Sequence, residues 1–284
     1  MCRHLAYLGP AVPLRSVLLD PPHGLYRQSW APRLQRHGTV NADGFGVGWY
    51  AAGDPVPARY RRAVPIWADA SLPDVARVIS SGAVLAAVRD ATAGTALGET
   101  AVAPFASGPW LFSHNGALAG WPASAAALSA GSLGAEALLS LEALTDSAFL
   151  WLLVLGRLRA GAPLDVALAA TIGAVEAAGG RYGPGRLNFL LTDGRSVAAT
   201  TDGEALWYRH AGGAVTVASE PGDGEPGWTE VPDRQVLTAT VARVTVRPLG
   251  SPAAGPSTEG PSTEGPLTEG PLTEGPLTEG IGIR

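Results

Sequence analysis

The chain has 284 residues, 46% of them hydrophobic, a formal net charge of -5, no lysine and a single cysteine, Cys2. One cysteine excludes an internal disulfide and a multi-cysteine zinc site and points to a reducing compartment; the lack of lysine excludes a lysine Schiff base and a P-loop lysine. Five glutamates and one arginine from Gly255 onward carry most of the net charge, so the rest is near neutral and gives no electrostatic case for nucleic acid or an anionic membrane.

In chain order, "RHLAYLG" reads as a short strand directly behind Cys2. It is broken by Gly9-Pro10 and Pro13 and lacks a signal-peptide pattern. "GFGVGWYAAG" is a glycine-rich strand, expected to let backbones approach closely beneath Cys2. "GAVLAAVRDAT" and "GPWLFSHNGAL" are two further strands, each an apolar run ending in polar residues. Three helical patterns follow: "PASAAALSAG", "DSAFLWLLVLGRLRAG" behind the N-cap stretch Thr145-Asp146-Ser147, and "PLDVALAATIGAVEAAGG" ending at Gly179-Gly180. The apolar run within the second falls short of the roughly 20 residues a bilayer span needs. A soluble cytoplasmic protein is therefore expected. Strands return in "RLNFLLTDG", "SVAATTDG", "EALWYRH", "GAVTVASEP" and "RQVLTATVARVTVRP". Strands, then helices, then strands predict an α+β layered fold over 2–250. Residues 251–284 contain five copies of a GP(S/L)TE unit. Proline in every unit blocks ladders and helices, so a low-complexity disordered tail is expected there.

Cys2 stands behind Met1, and a second residue this small favours removal of the methionine. The thiol would then share a residue with a free α-amine, whose ordinary pKa of about 7.7 to 8 suits a base at neutral pH. Nucleophile and base would come from one residue. Read alone, Cys2 is equally an incidental thiol at a chain end.

Later motifs give it a context: "NADGFGVGWY" (41–50), "VRDAT" (88–92), "SHNGAL" (113–118) and "LTDSAF" (144–149). With Cys2 in front, this series resembles the class II glutamine amidotransferases of the N-terminal-nucleophile hydrolase superfamily, from Cys2 to about Glu220. The opening "MCRHLAYLG", with "LFSHNG" and "ASEP" (218–221), looks most like the branch of γ-glutamyl hydrolases of ergothioneine biosynthesis. The resemblance implies an αββα four-layer sandwich. It implies Cys2 as nucleophile, and Asn115 (side-chain amide) and Gly116 (backbone N–H) as the oxyanion hole. Arg89 would bind the glutamyl α-carboxylate, for which a planar guanidinium fork is suited. Thr92 would line the same pocket and Asp146 would receive the α-ammonium. The bland alternatives are a turn at Asn115-Gly116, a surface ion pair at Arg89-Asp90 and helix capping by Asp146. His114 is read as structural. Asn41 and Asp43 are candidates to orient the terminal amine.

The reaction implied is hydrolysis of a γ-glutamyl amide, γ-glutamyl-hercynylcysteine sulfoxide by the resemblance, with no metal and no cofactor. The expected partner is that small-molecule substrate, with no nucleic acid, no membrane and no obligate synthase domain in this chain. A glutaminase component supplying ammonia to a partner, and a non-catalytic binding protein on the same scaffold, are the alternatives. The Pro- and Trp-rich loop between Pro21 and Arg36 is expected to offer aromatic walls to the leaving portion, with Trp30 the candidate.

Overall fold

The computed structural model describes residues 2–178 and 185–250. The repeat tail and the Gly179-Gly180 helix end lie outside them. The first elements are β1 (Arg3–Pro13), α1 (Leu14–Leu18), α2 (Leu25–Gln28), β2 (Phe45–Trp49), β3 (Ala58–Arg62), α3 (Leu72–Val78) and β4 (Ser80–Val88). Then come β5 (Phe105–Ser107), β6 (Trp110–Ala117), α4 (Ala123–Ser132), α5 (Ala135–Leu139), α6 (Asp146–Arg159) and α7 (Leu164–Ala178). The last are β7 (Arg186–Thr192), β8 (Val197–Thr201), β9 (Trp207–Ala211), β10 (Ala214–Ala218), β11 (Trp228–Glu230), β12 (Gln235–Ala239) and β13 (Val244–Pro248).

The strands form two antiparallel sheets, a seven-stranded one in the order β11-β9-β10-β1-β4-β2-β3 and a six-stranded one in the order β13-β12-β8-β7-β6-β5. Strand alternation sorts the apolar residues into three buried layers. Between the sheets lie Ala6 and Leu8 of β1 and Leu85 of β4, with Leu111, Leu190 and Ala199 from the second sheet. On the outer face of the first sheet, Leu5, Phe45 and Val84 pack under Leu14, Leu18 and Leu72 of the short helices. On the outer face of the second, Phe112 and Phe189 meet Leu150, Val154 and Ile172 of α6 and α7. The result is the expected αββα sandwich.

Helix α6 is apolar nearly all round because it is enclosed. Every residue from Ala148 to Leu155 is buried, and Trp151 stacks on Phe112 at 5.2 Å between ring centroids. No helix among the described residues is long and apolar enough to cross a membrane.

Two local expectations need correction. "RQVLTATVARVTVRP" is a hairpin rather than one strand: β12 and β13 pair from Gln235↔Pro248 to Ala239↔Val244. The Thr240 hydroxyl accepts from the amides of Ala242 and Arg243 to make the turn. The glycines of β2 do not pass beneath Cys2. A Cβ on Gly46 would strike the carbonyl of Ala103, and one on Gly48 would lie 2.6 Å from Leu111. Their smallness admits the Ala103-Pro104 segment and the second sheet.

Candidate active site

Strand β1 is central in its sheet, paired with β4 through Arg3↔Val88 and with β10 through Leu5↔Ala218. Pairing from its first residue fixes the direction of Cys2. Alternation puts Cys2 in phase with His4, Ala6 and Leu8, on the face turned to the second sheet. His4 proves that direction, since its Nδ1 lies 3.2 Å from the hydroxyl of Ser113 on β6. Ser113 is in phase with Leu111 and Asn115. Leu111 shares the inter-sheet layer with Ala6 and Leu8. The two strands therefore run in opposite senses across the interface, and Cys2 falls at the Asn115 end of β6.

Cys2 keeps partial access to solvent, while its thiol is desolvated. Burial pushes the thiol pKa up; the chain-terminal ammonium, the backbone N–H of Asp90 hydrogen-bonded to sulfur, and the Arg89 guanidinium oppose this, and the Asp146 carboxylate adds to it. Arg89 and Asp146 thus both act on the sulfur from within electrostatic reach. The resting group is a neutral thiol, which needs a base before it can attack.

Arg89 leaves β4 at its carboxyl end and is 7% exposed. Its backbone is held on both sides: its N–H donates to Gly44 O at 2.8 Å, and its carbonyl accepts from Asp43 N at 2.9 Å. Nη2 donates to Thr95 Oγ1 at 3.1 Å and to Ala96 O at 2.9 Å, whereas Nη1 is buried with no partner. A buried cationic donor without an acceptor is costly, so this half of the fork is set out for an anion. Thr92 contributes its carbonyl, which accepts from the Thr95 hydroxyl at 2.7 Å. It shapes the turn that carries Arg89's partner. Thr95 and Ala96 escaped sequence reading because no side-chain signature marks a turn that works through carbonyls.

Asp146 is 3% exposed at the first position of α6. The capping role falls to its neighbour. Thr145 is the N-cap, its hydroxyl accepting from Ala148 N at 3.1 Å. Asp146 accepts from Leu118 N at 3.0 Å and Ser147 N at 2.9 Å. The Leu118 bond ties the helix start to the chain just past Gly116. Ala96 links the two charged sites: its carbonyl takes Arg89, and its N–H donates to Leu144 O at 3.0 Å.

Asn115 is fully buried, and neither atom of its amide has a hydrogen-bond partner. Gly116 has φ +151° and sits against β7, where a Cβ would collide with the Arg186 carbonyl. Only glycine fits there. His114 faces the helices. Its Nε2 donates to Arg186 O at 2.9 Å, which leaves Nδ1 to accept from Ser147 Oγ at 3.0 Å. Burial lowers its pKa despite the nearby Asp146. Both nitrogens are engaged, which fits a structural role.

Asn41 and Asp43 each bond a neighbouring segment. The Asn41 amide donates to Gln28 O and to Gln35 Oε1, and Asp43 accepts from Ala91 N at 2.7 Å. Trp30 offers no open aromatic wall: Tyr26 and Trp67 meet it edge-on, and the Arg27 guanidinium lies 5.3 Å from its ring centroid. The later part of the same loop is tied down by buried carboxylates. Glu220 accepts from the amides of Arg33 and Leu34, and His37 lies 3.2 Å from the buried carboxylate of Glu204, which also stands 3.1 Å from Arg186. Among the described residues no group of three or more His, Cys, Asp or Glu could hold a metal ion.

Fold and site together define an amidotransferase-type hydrolase. The chain belongs to the class II glutamine amidotransferases, whose family model matches residues 26–214. Among its relatives, the γ-glutamyl-hercynylcysteine sulfoxide hydrolase of Mycolicibacterium smegmatis is 42% identical over 252 residues, 88% of this chain and 100% of the relative. The protein of the same name from Mycobacterium tuberculosis is 41% identical over 249 residues, 88% of this chain and 97% of the relative. The solved structure of a glutamine aminotransferase class-II domain protein from Silicibacter pomeroyi superposes with a TM-score of 0.65 at 26% identity, covering 88% of this chain and 100% of that one.

Proposed function

We propose that this chain hydrolyses the γ-glutamyl amide bond of γ-glutamyl-hercynylcysteine sulfoxide, releasing glutamate and hercynylcysteine sulfoxide through a thioester on Cys2. The observation that carries the reading is that a buried cation, Arg89, and a buried anion, Asp146, both lie within electrostatic reach of one desolvated thiol. A free amino-acid head bears those two charges in reverse. An α-linked glutamyl residue has no free α-carboxylate to offer Arg89, so the pair selects the γ-linkage.

In this mechanism Met1 is removed and the α-amine of Cys2 takes the thiol proton. The sulfur attacks the γ-carbonyl carbon and the carbonyl π pair moves to oxygen. Asn115 Nδ2 and the Gly116 N–H receive that oxyanion; each such donor is worth roughly 3 to 4 kcal/mol. The C–N bond then breaks and the ammonium returns its proton to the leaving nitrogen. Water gives a proton to the amine and its oxygen attacks the thioester carbon; the C–S bond breaks, and the ammonium returns the proton to the sulfur, which leaves as thiol. The chain's own residues suffice for every step. A reducing compartment such as the cytoplasm keeps the nucleophile in its thiol form.

The test is glutamate release from γ-glutamyl-hercynylcysteine sulfoxide and from glutamine at matched concentrations, by wild type and Cys2→Ala. Preference for the sulfoxide, abolished in Cys2→Ala, supports the reading. Equal or better use of glutamine would make this chain a glutaminase. Release of glutamate by Cys2→Ala at the wild-type rate would remove the nucleophile and the mechanism with it.

A further inference from the structure

Residues 33–38, at the end of the Pro- and Trp-rich loop, form a strap that the proposed reaction does not use. It is anchored from end to end. Glu220 accepts from the amides of Arg33 at 2.9 Å and Leu34 at 2.6 Å. Gln35 Oε1 accepts at 3.1 Å from Nε of Arg3, the residue directly behind the proposed nucleophile. His37 Nδ1 lies 3.2 Å from the Glu204 carboxylate. Gly38, at φ +69°, packs so tightly that a Cβ there would collide with the Asp90 carboxylate.

The last two anchors place the strap. Asp90 is the residue whose N–H meets the Cys2 sulfur. Glu204 also stands 3.1 Å from Arg186, whose carbonyl is the wall that Gly116 packs against. His37 and Gly38 are adjacent, so the strap runs between a neighbour of Gly116 and a neighbour of Cys2.

Arg36 precedes Gly38 by two residues, within about 7 Å of chain of the Asp90 contact. It is exposed, and among the described residues its guanidinium makes no hydrogen bond or ion pair. The strap carries no acid of its own. Of the carboxylates that meet it, Glu220 holds strap amides, Glu204 faces His37 and Arg186, and Asp90 is not free either. A mobile guanidinium without a partner therefore stands beside a site in which Arg89 and Asp146 already account for the glutamyl head. What is left to be met is the leaving amine and whatever it carries. An α-amino acid that leaves as the amine bears a carboxylate on the carbon next to the scissile nitrogen; ammonia and an alkylamine do not. The planar fork of an arginine suits that group.

We propose that Arg36 binds the carboxylate borne by the leaving amine, so that the enzyme selects γ-glutamyl amides of α-amino acids over γ-glutamyl alkylamides. In γ-glutamyl-hercynylcysteine sulfoxide this group is the cysteinyl α-carboxylate. The inference rests on γ-glutamyl hydrolysis and not on the hercynyl portion.

The test is steady-state glutamate release by the full chain from γ-glutamylglycine and γ-glutamylmethylamide, which differ only in that carboxylate, with the sulfoxide alongside. Wild type should favour the glycine amide roughly tenfold in kcat/KM, mainly through KM. Arg36→Gln should bring the two amides within about twofold of each other, and Arg36→Lys should keep part of the preference. Added salt should shrink the preference of the wild type and leave that of Arg36→Gln unmoved. Because Arg36 has no partner in the fold, both variants should melt with the wild type. Equal use of the two amides by wild type, a preference that survives in Arg36→Gln, or an Arg36→Lys as indifferent as Arg36→Gln would each overturn the proposal. Preference for the glycine amide without hydrolysis of the sulfoxide would refute the substrate reading and leave this inference standing. Hydrolysis of the sulfoxide with no preference within the pair would do the reverse, and no glutamate from any of the three would end both.

Discussion

The two halves of the candidate active site are built on opposite plans. On the side proposed for the charged head, Arg89 and Asp146 are held by the protein: Arg89 through Thr95 and Ala96, Asp146 through the amides of Leu118 and Ser147. On the side proposed for the oxyanion, Asn115 has a fully buried amide with no partner. It is oriented by strand register alone, opposite Asn188 on β7. Groups that meet a full charge in the ground state gain from anchoring, because a carboxylate or ammonium is bound before reaction starts. A donor awaiting a charge that exists only in the transition state gains from being left unsatisfied, since a protein acceptor would compete at the moment it is needed.

Four measurements test this division and the frame that supports it. Asn115→Ala carries the largest expected effect: a loss of about 10²- to 10³-fold in kcat with KM little changed, read from steady-state kinetics. A loss confined to KM would move Asn115 to the binding half. Arg89→Lys keeps the charge and loses the fork. A fall of roughly 10- to 100-fold in kcat/KM is expected, driven by KM, with Asp146→Asn behaving alike toward substrates that carry an α-ammonium.

Acid should weaken the frame through His4. Burial, aided by the charges of Arg3 and His114, holds its pKa down at about 3. Below pH 6.5 the unfolded chain takes up a proton that the native state refuses, so stability present above that pH is lost as pH falls toward 3. The slope is at most about 1.4 kcal/mol per pH unit. Urea midpoints at pH 7.5 and 5 should differ in the wild type and less in His4→Gln; equal shifts in both would point to another group. The smallest effect belongs to Thr145→Ala, about 1 kcal/mol of stability from the lost cap. Thr145→Ala should leave kcat/KM little changed, so a loss of activity comparable to that of Asp146→Asn would contradict the division of labour between the two residues.

Much of this was legible in the sequence because it was written in side chains. Cys2, Arg89, Asn115, Gly116 and Asp146, the proposed site residues, stand out in the sequence by their identity and order. The layered fold followed from strand alternation and from helices bounded by Thr145 and Gly161. What escaped was written in the backbone. The turn that fixes Arg89 works through the carbonyls of Thr92 and Ala96. The glycines of β2 answer to Ala103-Pro104, 55 or more positions away along the chain, which no local pattern reveals. The two-strand reading of 235–248 turned on one threonine hydroxyl at Thr240. Whether Thr145 or Asp146 caps α6 depended on which of two adjacent oxygen-bearing residues faced the helix.

The central position of β1 has a practical corollary. The proposed nucleophile, Cys2, stands one step ahead of a strand hemmed in by β4 and β10, rather than on a loose chain end. In the proposed mechanism, an affinity tag attached ahead of Cys2 would turn the required amine into an amide. Purification handles belong at the other terminus, and a leader cleaved to expose Cys2 doubles as an on-switch: protein carrying it should be folded and silent until the protease acts.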